Sequence, residues 1–359
     1  MKEASHGGRV FDAARRWGIA PEEVIDFSAN INPFGPPPGV FAAIEKSLAP
    51  VNLKAYPDSS AFISAVAGKH GVAPDEIVVG PGSAALIFAA LRAVLPATAL
   101  ALEPGFDEYF RACAAVKAEV LRLRLTEKNG FMPDFGALAR VIESRQCDLV
   151  ILNSPHNPTG RSYARDDLMA LVDLAEANDV TALLDEAFID YAPQASLVSM
   201  AAAKSRLVAL RSMTKFYAIP GLRVGYAVCA AEMAAAIRRQ LDAWPISTIA
   251  LEAARAALAE KEYERETRII NAQAREEFAA ALRENGLLVF PSDANFLLCK
   301  LPCGSGAELA RSLESSRILI RRCDSFSGLG DSYIRLAVRS REDNLRLVSL
   351  IENWLRRSA

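Results

Sequence analysis

One lysine lies in the apolar segment RSMTKFYAIPGLRVGY, residues 211–226, among small, aromatic and glycine residues. The flanking runs RLVAL and GLRVGYAVC are typical of buried strands, so Lys215 is placed to lose much of its hydration. Loss of hydration lowers the pKa of an ammonium group and makes the neutral amine available as a nucleophile. This is the chemistry of a lysine that forms a Schiff base, and it requires a matching ligand site elsewhere in the chain.

Two further segments place polar groups directly after strand-like runs. Asp185 ends the apolar run LLDE, and a buried carboxylate needs a cationic partner such as a protonated ring nitrogen. In VVGPGSAALIF a glycine-rich turn opens a helix, where the free amides of Gly82, Ser83 and Ala84 are suited to hold a phosphate. A plain strand-to-helix turn is the alternative interpretation of this second segment.

Aromatic and amide side chains occur in two more such segments. EPGFDEY carries Phe106 and Tyr109, either of which is able to cover the face of a flat ligand or simply to pack in the core. NSPHNPTG places Asn153, His156 and Asn157 in a loop rich in hydrogen-bond donors, for which turn formation alone is the alternative. Each segment is ambiguous singly, and together they favour one ligand site.

The elements that must position these residues alternate along the chain. Apolar runs such as EIVVG, CDLVILN and VTALLDE alternate with longer helical patterns, which predicts an α/β domain with a mainly parallel sheet. Ligands on such sheets bind at the carboxyl ends of the strands, where the candidate residues fall. We predict a large ligand-binding domain, 41–250, and a small C-terminal α+β domain, 251–359. The N-terminal segment, 1–40, is predicted to join the small domain.

Composition limits the class of partner. The chain has 359 residues, 51% of them hydrophobic, and a formal net charge of -2, which gives no electrostatic reason to expect binding of nucleic acid or of an anionic membrane. No uncharged apolar run approaches the roughly 20 residues of a membrane span. The six cysteines have no metal-ligand spacing, so we expect no metal site and a soluble, cytoplasmic protein.

The combination of GSA, HNPTG, Asp185 and SxxK followed by GLRVGY resembles the fold-type I, aspartate-aminotransferase-like family of pyridoxal 5′-phosphate (PLP) enzymes. The resemblance implies an α/β fold-type I PLP-dependent transferase, with a mainly parallel, seven-stranded sheet in its large domain and a smaller α+β domain. In that family the lysine binds PLP covalently, which gives Lys215 its role. Asp185 would keep the pyridine nitrogen protonated, so that the ring acts as an electron sink.

The same resemblance implies further contacts with the cofactor. The ring would be contacted by Phe106 and its O3′ oxygen by Asn157, and the phosphate by Ser212, Arg223 and the amides of Gly82, Ser83 and Ala84. Tyr56, in AYPD, matches a tyrosine that reaches the PLP phosphate of the neighbouring subunit, which implies a homodimer. Phe188 departs from the family pattern, which usually has a tyrosine bonded to O3′ at this position.

Segments at both ends narrow the resemblance. HGG, IDFSANINPFGPP, DEAFIDY and ILIRRCDSFSGL are similar to the threonine-phosphate decarboxylases, which are related to the histidinol-phosphate aminotransferases. The implied activity is PLP-dependent decarboxylation of L-threonine O-3-phosphate to (R)-1-amino-2-propanol O-2-phosphate, for cobalamin biosynthesis. A histidinol-phosphate aminotransferase or a related PLP aminotransferase is the alternative, and a regulatory protein with this fold is another.

The implied substrate is a phosphorylated amino acid. His6, Asn30, Arg321 and Arg335 would surround it, because arginine forks bind phosphate and carboxylate groups well. Arg322 stands where relatives commonly have an aspartate. The sequence leaves open whether serine phosphate is also accepted, and whether Arg335 holds the carboxylate or the phosphate.

Other cations have simpler interpretations. Arg339 is a further candidate for the substrate site, whereas Arg341 is predicted to be a solvated residue at the start of a helix. His156 is expected to orient its loop or to pack near the ring, and His70, in GKHGV, is expected at the surface.

Overall fold

The computed structural model describes residues 7–358 of the chain. Its helices are α1 (Val10–Trp17), α2 (Pro38–Ser47), α3 (Pro50–Lys54), α4 (Ser60–His70), α5 (Ser83–Val94), α6 (Asp107–Ala115), α7 (Phe135–Glu143), α8 (Arg165–Ala177), α9 (Ala231–Arg238), α10 (Thr248–Ala259), α11 (Lys261–Glu284), α12 (Gly306–Glu314) and α13 (Arg341–Ser358). Its strands are β1 (Ile25–Asp26), β2 (Ile77–Gly80), β3 (Thr98–Glu103), β4 (Glu119–Arg124), β5 (Leu149–Asn153), β6 (Thr181–Asp185), β7 (Leu207–Ser212), β8 (Gly225–Val228), β9 (Leu288–Val289), β10 (Phe296–Lys300), β11 (Ile318–Leu319), β12 (Arg321–Arg322) and β13 (Tyr333–Ala337).

The largest sheet has seven strands in the order β2-β8-β7-β6-β5-β3-β4. Strand β8 runs antiparallel to both of its neighbours, and the other pairings are parallel. The alternation of strand and helix along the chain therefore predicted the fold class correctly. The antiparallel position of β8 was not predicted.

Both faces of this sheet are covered. In β5, Val150 and Leu152 belong to the apolar cluster on one face, and Leu149 and Ile151 belong to the cluster on the other. Since successive side chains of a strand point to opposite faces, a strand buried on both sides must be apolar throughout. This is why β5, β6 and β7 each contain a run of three or four consecutive apolar residues.

A second body is built from β9 to β13 and the helices α11 to α13. Its four-stranded antiparallel sheet has the order β12-β13-β10-β9. The N-terminal segment packs against this body, because β1 pairs in parallel with β11 and Phe27 lies in the same apolar cluster. These contacts are consistent with an N-terminal segment that joins the smaller domain.

Helix α10 bears on the domain border. It packs against α2 and α4, and Ala253, Ala254 and Ala257 lie in the core cluster of the large sheet. We therefore propose a border between α10 and α11 rather than at residue 250. Among the described residues, no helix combines the length and apolar character that crossing a membrane requires.

Candidate active site

The strand ends of the large sheet converge as the parallel topology requires. Asn153 at the end of β5 pairs in register with Asp185 at the end of β6, and Ser212 at the end of β7 pairs with Gly225 of β8. A pocket of about 380 Å³ opens beside these ends. Predicted site residues that line it are Asn30, Ser83, Ala84, Phe106, Asn157, Asp185, Ser212, Lys215, Arg223, Arg321 and Arg335.

Asp185 is held by hydrogen bonds to both its side chain and its backbone carbonyl. Its Oδ2 accepts a hydrogen bond of 2.6 Å from the hydroxyl of Tyr109, and its Oδ1 accepts one of 2.9 Å from the amide of Ala187. Its carbonyl accepts a bond from the side chain of Asn153. Burial raises the pKa of Asp185, and the bond from Tyr109 acts against that rise. A carboxylate in this position would be stabilised by a cation in the pocket.

Asn157 joins the large sheet to the smaller domain. Its backbone amide donates to Oδ1 of Asn153 at 2.7 Å, and its own Oδ1 accepts a bond of 2.5 Å from Nη1 of Arg335. Because the side-chain oxygen of Asn157 is engaged by an arginine, its NH₂ group is the part left to serve a ligand oxygen.

Lys215 is half-buried in the pocket lining. Burial, with the nearby guanidinium groups of Arg335 and Arg223, lowers the pKa of Lys215 to about 8. Its carbonyl accepts a hydrogen bond of 3.0 Å from the amide of Asn32, which ties the lysine loop to the N-terminal segment. At a pKa near 8 a substantial fraction of the amine is neutral at physiological pH, as a nucleophile requires.

The start of α5 forms a cradle of backbone amides. Gly82 precedes the helix at φ 84°, and a Cβ built there would lie 2.7 Å from Nη2 of Arg223. A Cβ on Gly225 would lie 2.7 Å from the amide nitrogen of Ser83. Both glycines thus allow an arginine and a strand to approach the first turn of the helix, where free amides bind anions.

Two aromatic side chains flank the pocket. Phe106 meets Tyr109 edge to face, with ring centroids 5.5 Å apart. Phe188 packs edge to face on Phe296 at 5.0 Å and lies in a small apolar cluster with Ala187.

Three further residues of the smaller domain and the N-terminal segment line the pocket. Arg321 donates to the hydroxyl of Ser325 at 2.8 Å, its guanidinium lies 4.9 Å from the ring centroid of Phe326, and burial lowers its pKa. Burial and the charge of Arg321 lower the pKa of Arg335 to about 10. Asn30 is 2% exposed, and its Oδ1 has no hydrogen-bond partner among the described residues.

Some of the predicted residues lie elsewhere. Tyr56 is 74% exposed, stacks on Trp244 at 4.0 Å between ring centroids, and is not part of the pocket lining. Arg322 is exposed and forms an ion pair with Asp324. His6 lies outside the described residues.

The minor cations gave mixed outcomes. Arg339 binds Asp343 and the carbonyl of Asp26, so it supports the N-terminal segment and is not part of the pocket lining. Arg341 is exposed at the start of α13, as predicted. The surface prediction for His70 was wrong: this histidine is half-buried, and Nε2 lies 2.8 Å from the hydroxyl of Tyr226.

His156 is fully enclosed by its loop. Its Nδ1 lies 2.9 Å from the hydroxyl of Thr159, and burial lowers its pKa to about 3. The low pKa of His156 favours its neutral form, and its ring is held within the loop by Thr159.

The comparison with known families decides the membership of the chain. The family described as aminotransferase class I and II matches residues 22–351. The chain belongs to this family. A threonine-phosphate decarboxylase from Salmonella typhimurium is 36% identical to this chain, and the match covers 98% of this chain and 97% of that protein.

Two other proteins show the range of the similarity. A bifunctional protein of adenosylcobalamin biosynthesis from Leptospira interrogans is 29% identical over 98% of this chain and 41% of its own length. The crystal structure of the histidinol-phosphate aminotransferase from Clostridium acetobutylicum has a TM-score of 0.86 and 30% identity, covering 93% of this chain and 100% of that one.

Membership of this family makes PLP the cofactor, and the pocket fits that cofactor chemically. Asp185 is a buried carboxylate suited to a protonated ring nitrogen, and the amides that follow Gly82 are suited to a phosphate. Nε of Arg335 and Oδ1 of Asn30 are buried without a partner among the described residues, and both residues line the pocket, where a polar ligand would satisfy these atoms.

Several contributors to the site were not predicted. Gly7, Ser28 and Ala29 line the pocket, although only the similarity of the surrounding segments to the decarboxylases pointed to this region. Tyr109 was considered as a cover for a ring, whereas it donates to Asp185. The signal that was available for Tyr109 is its position in the first turn after the strand end, on the same helix face as Phe106.

Proposed function

We propose that this chain is a PLP-dependent decarboxylase that converts L-threonine O-3-phosphate to (R)-1-amino-2-propanol O-2-phosphate and carbon dioxide, a step that serves cobalamin biosynthesis. The observation that carries the proposal is the presence of two buried arginines, Arg321 and Arg335, in the same pocket as Lys215. The similarity to the decarboxylase from Salmonella typhimurium over nearly the whole chain supports it.

The cofactor side follows from the groups described above. Lys215 would bind the carbonyl carbon of PLP, Asp185 would pair with the ring nitrogen, and Asn157 would donate to O3′ through its NH₂ group. The phosphate and ring contacts would come from Gly82, Ser83, Ala84, Ser212, Arg223 and Phe106. When bound, PLP supplies an electron sink for the pair released as a bond to Cα breaks.

The substrate side must decide which bond breaks. Bound PLP would accept electrons from only one of the bonds to Cα, so the residues on the substrate side would have to orient the substrate such that the bond to the carboxylate is the one that breaks. Arg321 would anchor the substrate phosphate, with Asn30 and His6 as the further predicted contacts, and Arg335 would hold the carboxylate or the phosphate. After carbon dioxide leaves, Nζ of Lys215 is the group that returns a proton to Cα.

The second candidate is a histidinol-phosphate aminotransferase, which the fold similarity to the enzyme from Clostridium acetobutylicum favours. Phe188 distinguishes the two, because its ring packs on Phe296 and offers no hydroxyl to O3′. Loss of that donor makes ordinary transamination less well supported than in relatives with a tyrosine.

Two assays on the purified holoenzyme test the proposal. Carbon dioxide is measured with L-threonine O-3-phosphate in the absence of an oxo acid, and amino transfer is measured with histidinol phosphate and 2-oxoglutarate. The proposal expects the first reaction and not the second. Lys215→Ala serves as the control, and it should lose both the absorbance of the lysine-bound cofactor and all turnover.

We further propose that the enzyme is a cytoplasmic homodimer in which Tyr56 reaches the PLP phosphate of the partner subunit. The region around Tyr56 exposes an unusual number of large apolar side chains, which supports burial against a second copy. These side chains are Phe41, Leu48, Val51, Leu53, Tyr56 and Trp244. The cysteines that the structure describes are free, which is consistent with a reducing compartment.

Mixed dimers test the assignment of Tyr56. A dimer of one Tyr56→Ala subunit and one Lys215→Ala subunit contains one intact site if the tyrosine acts across the interface. It contains none if the tyrosine acts within its own subunit. Recovered activity on mixing the two inactive homodimers supports the proposal, and no recovery despite subunit exchange contradicts it.

A further inference from the structure

The beginning of the described chain lies against the turn that follows β1. A Cβ built on Gly7 would lie 2.1 Å from the carbonyl oxygen of Ser28 and 2.6 Å from its carbonyl carbon. Gly7 is also part of the pocket lining. No residue with a side chain fits at this position unless the backbone moves, so Gly7 is required by close contact between two chain segments.

Ser28 uses three polar groups at this contact. Its hydroxyl oxygen accepts a hydrogen bond of 2.9 Å from the amide of Gly8, and the hydroxyl donates to Oδ1 of Asp26 at 2.5 Å. Its own amide donates to the same carboxylate oxygen at 2.7 Å. Its carbonyl accepts a bond of 3.0 Å from Nη2 of Arg335.

These bonds connect the N-terminal segment to the substrate side of the pocket. Ser28 is 5% exposed and Asp26 is 9% exposed, so both are enclosed by protein. Arg335 contacts Ser28 through one nitrogen and Asn157 through the other, which leaves its Nε as the buried group without a described partner. A shift of the Ser28 carbonyl therefore shifts an arginine that faces the ligand.

We propose that Ser28 is a positioning residue for the phosphorylated substrate. Its hydroxyl fastens the N-terminal segment against the pocket, its carbonyl sets the orientation of Arg335, and Gly7 permits the contact. The inference rests on the proposed function in one respect, that the group facing Arg335 is a phosphorylated amino acid. Asp26 holds Ser28 and Ala29 in place by accepting their hydrogen bonds, and it is not itself part of the pocket lining.

The alternative is that Ser28 and Asp26 only stabilise a turn. If the turn is purely structural, replacing Ser28 would lower the stability of the fold and leave KM for the substrate unchanged in the folded enzyme. The test therefore separates KM from kcat and uses a readout that does not depend on turnover. Arg9 supplies that readout, because it is exposed just after the docked segment and is a site for trypsin.

Four variants of the holoenzyme are compared with the wild type. Ser28→Ala removes the hydroxyl, Ser28→Thr keeps it, Gly7→Ala introduces the Cβ, and Gly68→Ala is the control because a Cβ there meets no atom within 4 Å. Ser28→Ala and Gly7→Ala should raise KM for L-threonine O-3-phosphate about tenfold, the effect of about one lost hydrogen bond, with a smaller change in kcat. Ser28→Thr and Gly68→Ala should stay near the wild type.

Trypsin cleavage after Arg9 gives the second measurement. We expect faster cleavage in Ser28→Ala and Gly7→Ala than in the wild type without substrate, and slower cleavage of the wild type when L-threonine O-3-phosphate is added. If KM and the cleavage rate are unchanged in both Ser28→Ala and Gly7→Ala, the inference about Ser28 is overturned. The proposed function stands in that case, provided that the wild type turns over L-threonine O-3-phosphate. Absence of wild-type turnover would overturn the proposed function, and the cleavage rates without substrate would still decide whether Ser28 and Gly7 dock the segment.

Discussion

Replacing Tyr109 with phenylalanine removes one defined interaction from the site. The hydroxyl of Tyr109 donates to Oδ2 of Asp185 over 2.6 Å, and both side chains are at least 96% buried. The variant keeps the ring that packs edge to face against Phe106. The change is therefore limited to the hydrogen bond that stabilises the ionised form of Asp185.

The size of the effect follows from the charge of the acceptor. A hydrogen bond to a charged group contributes about 1.5–3 kcal/mol, which corresponds to about 10- to 150-fold in an equilibrium constant. Loss of this bond raises the pKa of Asp185 further, because the bond favours the carboxylate over the neutral acid. A carboxyl group that holds its proton more firmly pairs less well with a protonated ring nitrogen.

The assay is titration of the apoenzyme with PLP at several pH values. Tyr109→Phe should weaken PLP binding by about 10- to 150-fold and shift the loss of affinity on acidification to higher pH. The control is Tyr163→Phe, since Tyr163 is 1% exposed and its hydroxyl has no hydrogen-bond partner among the described residues. Affinity within twofold of the wild type in Tyr109→Phe, with an unchanged pH profile, would refute the reasoning.

Three further predictions concern charged groups. Burial first, and nearby cations second, hold the pKa of Lys215 at about 8. Covalent capture of PLP by the apoenzyme, followed by absorbance, should therefore accelerate as the pH rises through about 8. A rate that does not change across that range would contradict this. Arg321→Ala should raise KM for L-threonine O-3-phosphate about 10- to 150-fold and change PLP affinity little. The control is Arg322→Ala, at an exposed position, which should leave both quantities near the wild type. Equal effects of the two variants on KM in steady-state assays would exclude Arg321 from the substrate site. Arg211→Met leaves the fully buried Glu186 without its cation. The free energy of unfolding, measured by urea titration, should fall by about 3–5 kcal/mol. A fall of less than about 1 kcal/mol would contradict this prediction.

The large sheet, and the grouping of residues such as Asp185 and Lys215 in one pocket, could be predicted from the sequence. Strands buried on both faces leave long apolar runs, and Asp185 follows such a run directly. Lys215 was recognisable because its neighbours are apolar on both sides. In these cases the residue and the element that positions it lie within a few positions of each other, so local patterns carry the information.

The remaining features depend on contacts between distant segments. His70 was predicted at the surface from its position in the GKHGV turn, but it is half-buried and contacts the hydroxyl of Tyr226, far along the chain. Ser28 meets Gly8 and Arg335 through pairings that no local pattern encodes. Tyr56 stacks on Trp244 and does not line the pocket of the same chain. Its proposed contact with PLP therefore requires a second copy of the chain.

The most direct test of the central proposal is to incubate the PLP-loaded enzyme with L-threonine O-3-phosphate, without an oxo acid, and to measure carbon dioxide together with the amine product. The account predicts that both appear in equal amounts over many turnovers and that Lys215→Ala produces neither. No carbon dioxide from the loaded wild type, with amino transfer from histidinol phosphate to 2-oxoglutarate instead, would contradict the account and assign the fold to an aminotransferase.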